Sequence, residues 1–585
     1  MRAVAGRIFV ITLPFLLTAA GALAQPASKA NPLSAITPVT ESMLRNPPDG
    51  DWLMWRRTYN DWGYSPLTQI NKGNVKNLRD AWAWSLPAGP TQIVPIVHDG
   101  VLFVDGVGDR VQALNAATGD LLWQYQRDLE PALISGGGPI ALPKRNMAIY
   151  GDMLLIATSD VHLVALNVKT GAVVWDHPVA DWKQGWRYSS GTFMAGGVLT
   201  AGMSGCGNAQ PGGCFITGHD PGTGQELWRI HTIAQAGDPN EKTWNGLPIT
   251  ARFGGSAWIG GSYDPDTDTL FYGVAQPYPW IAEINGLLPK KEGFQNNALY
   301  TDSTLAINSK TGKLKWHYQH LPGDSADLDE AYERVLVDIP VEGKTRKALV
   351  TVGKLGMIDA LDRTDGQFLW SKETVPQNVV SSIDPKTGFR TLNPAAIPRI
   401  GSTTLNCPAD PGARGWPSTA YSPKTGMLYL PMTELCSQTT PVPVGEGQAY
   451  KGGGMAVFKR VPVPNSDGNF GRFDAVRLSN HTQAWSSRWP APLTSGALPT
   501  AGGLVFAGSL DRYFRAYDDT NGKLLWQTRL SNAVVASPIS YSVNGKQYVA
   551  VVTSSSSLHT RALNTLVPAI KNPESGSVLS VFELQ

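Results

Sequence analysis

Charge is scarce in this 585-residue chain: Asp, Glu, Lys and Arg make up 16%, against roughly 25% in an average soluble protein. The 49 basic residues nearly balance 47 acidic ones. No basic run stands out, so nothing marks the chain as a nucleic-acid binder. Cysteine is limited to Cys206, Cys214, Cys407 and Cys436. None belongs to a C-x-x-C-H sequence, which excludes covalent c-type haem, and no cysteine or histidine cluster has zinc spacing. Beyond the N-terminus no stretch approaches the roughly 18 apolar residues of a membrane-spanning helix. Disorder is excluded too, because 42% hydrophobic residues and 19 Trp can support a core.

Turn formers are abundant: 61 Gly and 43 Pro amount to about 18%, against about 12% on average, which suits a β-rich chain. At the N-terminus, Arg2 and Arg7 precede the apolar stretch Ile8 to Leu23, and Ala22-Leu23-Ala24 offers a small-x-small cleavage site. Residues 1–24 therefore read as a secretory signal peptide. Its removal takes two Arg and no acid, leaving an exported, periplasmic chain of 25–585 with no net charge. In an oxidising compartment, four cysteines suggest two disulfides in any of three connectivities, with near neighbours the simplest pairing.

A repeat emerges when tryptophans are aligned. The copies read LNAATGDLLW (114–123), LNVKTGAVVW (166–175), HDPGTGQELW (219–228), INSKTGKLKW (307–316), LDRTDGQFLW (361–370) and YDDTNGKLLW (517–526). A degenerate copy ends at Trp485, and YSPKTGMLYL lacks the Trp. Each reads as a β-hairpin, because Gly accepts positive φ at the turn and alternating apolar runs flank it. Spacings between successive Trp of 52, 53, 88, 54, 115 and 41 residues fit one four-stranded unit plus insertions, as in a β-propeller. By repeat count alone, six, seven or eight blades all remain open.

The repeat A-x-N/D-x-x-T-G-x-x-x-W resembles the tryptophan-docking motif of quinoprotein alcohol dehydrogenases, the methanol and ethanol dehydrogenase family. The resemblance covers nearly the whole mature chain, from DWLMWRRTYNDWGYSPLTQINKGNVKNLRDAWAW (51–84) through ALDRTDG (360–366) to TAGGLVFAGSLDRYFRAYD (500–518) and GKQYVAVV (545–552). It implies an all-β, eight-bladed propeller as a single domain over 25–585. It further implies one pyrroloquinoline quinone (PQQ) on the axis and one metal ion, Ca²⁺ or a lanthanide. By the family's pattern, Arg145 pairs with a PQQ carboxylate, a role that suits a planar guanidinium fork. Trp258 is where the quinone stacks, Lys354 lies beside the quinone carbonyls, and Ser204 and Ser256 donate hydrogen bonds to the cofactor. Asp327, in HLPGDSADLDEAYERV, takes the place of the catalytic aspartate that accepts the alcohol proton. Asp329 resembles the additional carboxylate of lanthanide-using members.

Several positions depart from the pattern. The adjacent cysteines that form a small disulfide ring over the quinone are replaced by SGGGP (135–139). The family's glutamate metal ligand falls at or near Gly207 and its asparagine ligand at Gln276, so the metal set implied here is Gln276, Asp327 and Asp329, supplemented by PQQ and water. Ala326 and Thr494 stand where methanol-type members carry Trp. These losses lead us to expect a roomier pocket for a bulky or secondary alcohol. Cys407 and Cys436 fall where the family has a structural disulfide. Cys206 and Cys214 have no counterpart in the methanol enzymes, and the loop between them is expected to rebuild the emptied ligand region.

The leading expectation is an exported PQQ-dependent alcohol dehydrogenase. Lacking a fused haem domain, it is expected to pass electrons to a soluble cytochrome c. A non-catalytic periplasmic propeller scaffold would explain the repeats and the eroded metal ligands. It would leave Arg145, Trp258, Lys354 and Asp327 unexplained, and no lipid-attachment cysteine stands near the cleavage site. A sugar or polymer alcohol dehydrogenase on the same cofactor differs only in substrate.

Overall fold

Each repeat forms the hairpin its turn residues dictate. In the first copy Asn115 Oδ1 accepts from Ala117 N, Gly119 N donates to Asn115 O, and Gly119 holds φ 79°. The strands on either side differ in burial. Val101–Gly106 and Arg110–Asn115 are buried on both faces, whereas the outer strand Leu121–Gln126 alternates, turning Trp123 inward and polar groups outward. That gradient is what sheets stacked face to face around a centre require: inner strands are covered on both sides and the outer edge is solvated.

This computed structural model describes residues 31–134, 143–207, 210–288, 295–443, 456–555, 558–574 and 576–585. The expected signal segment and residues 135–139 lie outside the described residues. Within them the chain builds eight four-stranded antiparallel sheets, an all-β propeller fold. Seven of these sheets take their strands in chain order, whereas the eighth combines both ends of the described chain. Ile539–Val543, Lys546–Thr553 and Ser577–Leu584 are joined by Leu78–Leu86, with Leu86 opposite Ser577 and Leu78 opposite Leu584. This pairing covers the inner edge of the first strand and ties it to the last.

The repeated Trp and Gly meet between consecutive units. Trp123 Nε1 donates to Val168 O at 2.8 Å, and a Cβ on Gly171 would fall 2.6 Å from the Trp123 ring. The same contact recurs for Trp175 with Gly224, Trp228 with Gly312, Trp316 with Gly366 and Trp485 with Gly522. Trp82, in the N-terminal segment, meets Gly119 in the same way. The glycine thus meets two demands at once, a left-handed turn and a flat surface for an indole. Trp370 instead meets His481 in a tilted contact, 3.9 Å between ring centroids. Both disulfides join near neighbours, Cys206 with Cys214 and Cys407 with Cys436.

Gly171 (φ +71°) and Gly343 (φ +77°, with nothing near its missing Cβ) separate the two demands. Gly343→Ala is expected to cost about 1 kcal/mol from backbone strain alone. Gly171→Ala should cost about 3 kcal/mol, because overpacking against the indole adds to that strain. Denaturant unfolding of the two variants measures the difference.

Candidate active site

Loops at one end of the sheets enclose a cavity of about 410 Å³, within the range of roughly 300–1,000 Å³ for small-molecule sites. Arg145, Ser204, Ser256, Trp258, Asp327, Asp329 and Lys354 all line it, although they are spread over more than 200 positions of the sequence. Gln276 is absent from the lining but touches it, its Nε2 donating to Asp327 Oδ1 at 2.8 Å. Cys214 Sγ lies 3.7 Å from Ser256 Oγ, so the Cys206–Cys214 disulfide buttresses the wall of the cavity. Gly207 contributes no side chain, and a Cβ there would meet nothing within 4 Å.

The aspartates owe their positions to the backbone around them. Asp324 Oδ1 accepts from Ala326 N at 2.8 Å and its Oδ2 from Leu328 N at 2.6 Å. That double staple sets a two-residue alternation. Asp327 and Asp329 face the cavity, while Ala326 and Leu328 join a hydrophobic cluster with Leu321, Leu355 and Met357. Asp327 itself is left-handed, φ 61°, a conformation Asp tolerates better than most residues and one typical of functional sites. The acidic stretch is therefore an extended loop and not a helix cap.

Lys354 completes the constellation. Its Nζ lies 3.0 Å from Asp327 Oδ1 and 3.2 Å from Asp329 Oδ2, and donates to Asp327 O at 2.8 Å. Burial opposes its charge, but the two carboxylates outweigh burial and hold the ammonium well above the ordinary lysine range. Burial also raises the proton affinity of Asp327 well above the usual carboxylate value; Lys354 pulls against the rise, and Asp329 and Asp410 add to it. Such a carboxylate, desolvated beside a fixed cation, suits a general base.

On the opposite wall, the Arg145 guanidinium lies 4.7 Å over the Trp258 ring and 5.9 Å from that of Trp416. Its Nη1 donates to Ser189 O at 2.9 Å, and burial pulls its pKa down to about 9. Tyr332 meets Trp258 edge-on at 5.3 Å. Beneath it, Arg414 stacks on Tyr332 and makes a bidentate pair with Glu333, at 2.5 and 2.8 Å.

Several buried polar atoms here have no partner: Arg145 Nε, both amide atoms of Gln92, Gln276 Oε1, Asp329 Oδ1 and the Tyr332 hydroxyl. Buried groups of this kind are costly unless something meets them. The oxygens of Gln276 and Asp329 suit a hard cation, and the Arg145 fork and the Trp258 face suit a flat, carboxylated ring. The residues present therefore fit both groups that the resemblance implies.

Two expectations need correction. Ala326 and Thr494 do not line the cavity: Ala326 packs in the hydrophobic cluster, and Thr494 is fully buried, donating to Val534 O at 2.6 Å. Their small size therefore adds no room to the cavity. Sequence reasoning also missed Asp324, Tyr332, Trp416, Asp410 and Arg460. Trp416, which like Trp258 falls outside the repeat frame, was the one with a visible signal.

The family model of the PQQ β-propeller domain of glucose/ethanol/alcohol dehydrogenases matches residues 52–387 and 388–549. The quinoprotein alcohol dehydrogenase PedH of Pseudomonas putida is 30% identical over 547 residues, covering 89% of each chain. A dehydrogenase subunit of the alcohol dehydrogenase (quinone) of Gluconobacter oxydans is 32% identical over 550 residues, covering 86% of this chain and 70% of that one. Among solved structures, the quinohemoprotein alcohol dehydrogenase ADHIIG of Pseudomonas putida superposes with a TM-score of 0.83 at 28% identity, over 94% of this chain and 82% of that one. A europium-containing methanol dehydrogenase gives 0.82 at 26% identity, over 93% and 99%.

The ion pair beneath the site gives a pH signature. Burial alone would raise the Glu333 carboxyl, but Arg414, with Arg56 and the Thr419 hydroxyl, overrides it and holds the pKa at about 2, against about 4.3 unfolded. A depressed folded pKa stabilises above the unfolded value, and that contribution is lost as pH falls toward the folded one. The stability gap between wild type and Glu333→Gln should therefore shrink by about 2 kcal/mol between pH of about 4.5 and 2. Urea unfolding across that window measures it.

Proposed function

The chain belongs to the PQQ-dependent, or quinoprotein, alcohol dehydrogenase family, and on that premise we propose that it is a periplasmic enzyme oxidising an alcohol to a carbonyl with Asp327 as general base. The observation that carries this reading is the cavity, where Asp327 and Asp329 share Lys354 opposite Arg145 and Trp258. The eight four-stranded sheets are read as eight blades of one domain over 25–585, and the Trp–Gly contacts as the docking between them.

Arg145 would hold a carboxylate of PQQ, Trp258 would lie against its ring, and Ser204 and Ser256 would donate to its edge. Gln276, Asp327 and Asp329 would hold the metal, Ca²⁺ or a lanthanide. When bound, PQQ supplies the two-electron acceptor for hydride from the carbinol carbon, with the metal polarising the accepting carbonyl. Asp327 receives the hydroxyl proton at its carboxylate. Lys354 orients that carboxylate and favours its ionised form against the effect of burial, and the Asp324 staple prevents the loop from relaxing away. Electrons leave to a soluble cytochrome c. The alcohol is read as bulkier than methanol or secondary; the small Gly415 and Ala562, together with Pro143 and Pro411, stand among the aromatic residues of the lining.

Purified protein titrated with PQQ, in the presence of Ca²⁺ or La³⁺, should show alcohol-dependent dye reduction only when PQQ is present. Asp327→Asn is expected to lower kcat by about 10²- to 10⁴-fold while still quenching tryptophan fluorescence on binding PQQ. No PQQ binding with either ion would overturn the reading. A secondary alcohol should exceed methanol in kcat/KM, and the reverse order would exclude the pocket proposed here.

A further inference from the structure

Outside the eight four-stranded sheets the chain inserts a three-stranded one, built from Thr404–Asn406, Cys436–Pro441 and Ala456–Val461. This insertion and the loop that leaves its first strand supply several of the residues lining the cavity, Asp410 and Arg460 among them. Arg460 sits on its last strand, opposite Ser437, and Asp410 sits on the loop that leaves its first strand through Cys407. Their side chains meet at the cavity, Arg460 Nη2 to Asp410 Oδ2 at 2.5 Å.

That loop is held rigidly against the catalytic lysine. The Cys407–Cys436 disulfide ties its start to the middle strand. Ala409 N donates to Leu435 O, Ala413 N to Lys354 O at 2.7 Å, and Thr433 N to Ala413 O. Gly412, φ +85°, lets the loop pack onto Lys354: a Cβ there would fall 2.6 Å from Lys354 Cγ. Asp410 is also near enough to Asp327 for its charge to raise the proton affinity of the base. The Asp410–Arg460 pair is therefore fixed in relation to the place where an alcohol would react.

The pair does not satisfy itself. Asp410 Oδ1 and Arg460 Nε are both buried without a partner, so one acceptor and one donor remain. A simple alkanol has nothing to offer them beyond its reacting hydroxyl. A carboxylate would meet Arg460 but be repelled by Asp410, and an ammonium the reverse. A neutral hydroxyl serves both, donating its proton to Asp410 and accepting from Arg460. We propose that the Asp410–Arg460 pair of the inserted sheet binds a second hydroxyl of the substrate, so that the preferred alcohol is a diol or polyol. This rests on the dehydrogenase reading above and narrows its substrate class.

The test compares matched carbon skeletons on the PQQ- and metal-loaded protein: ethylene glycol against ethanol, and glycerol against n-propanol, each as kcat/KM. The wild-type protein is expected to favour the hydroxylated member of each pair by about 10- to 100-fold, the range of one or two hydrogen bonds to charged groups. Asp410→Leu and Arg460→Met should bring both ratios close to one, mainly through KM of the hydroxylated substrate. Thermal unfolding of each variant separates this from loss of fold. Should either variant not fold, Asp410→Asn and Arg460→Lys retain the shape and are expected to lower the ratios by at least about threefold. Equal kcat/KM within each pair, or ratios that survive the substitutions, would overturn this inference and leave the dehydrogenase standing. Oxidation of neither member of either pair would overturn this inference, while the dehydrogenase reading is decided separately by PQQ binding and by oxidation of a secondary alcohol.

Discussion

A lysine ammonium held between two carboxylates, out of bulk water, is the constraint on which the site depends. Asp327 and Asp329 are two residues apart on one loop, and both face the same cavity. Two desolvated carboxylates repel, and each is costly to bury alone. Lys354, within 3.2 Å of both, offsets that cost and reaches them from the turn between Lys344–Val352 and Met357–Asp362, in the sheet that the loop leads into. Its own backbone is tied to the same loop, Lys354 N donating to Asp329 O at 3.1 Å. The geometry of the candidate site and the local stability are thus one interaction, and a change to any of the three residues disturbs both.

Much of the surrounding structure keeps that loop from relaxing. Asp324 closes it from one side, its own carboxyl pushed up to about 6 by burial. On the other side the chain turns directly into Glu333 and Arg334, which are almost wholly buried. Glu333 is held by Arg414 and Thr419, while Arg334 donates to Thr304 Oγ1 and Glu330 O. These bonds reach into neighbouring sheets, so the loop is anchored by the propeller and not by a regular element of its own. A strained φ at Asp327 persists only where its surroundings over-determine it in this way.

The insertions carry the remainder of the site. The Cys206–Cys214 loop supports Ser256, and the Cys407–Cys436 sheet brings Asp410 and Arg460 to the cavity. In both places a disulfide stiffens the wall of the cavity: Cys206–Cys214 closes a short loop, and Cys407–Cys436 ties the Asp410 loop to the ladder that carries Arg460. A conserved scaffold with variable loops is the usual division between stability and chemistry. Here the disulfides mark where the loops had to be as stiff as the scaffold.

The sequence by itself determined the repeat, because a T-G turn followed by Trp is a local pattern. Gly accepts the left-handed turn and leaves room for an indole whichever sheets surround it. For the four cysteines it left three connectivities open, of which the fold takes the near-neighbour one. By motif, it pointed to Arg145, Trp258, Asp327 and Lys354, four residues that the fold does bring into one cavity. Only the tertiary structure decided which way neighbouring side chains face. Ala326 and Asp327 are adjacent in sequence, yet one lies in a hydrophobic cluster and the other in the cavity, because two backbone hydrogen bonds to Asp324 set the alternation. Asp410 and Arg460 carry no motif at all. They are 50 residues apart and meet because an antiparallel sheet and a disulfide fold the chain back on itself, and a contact of that kind exists only once the long-range pairing has formed.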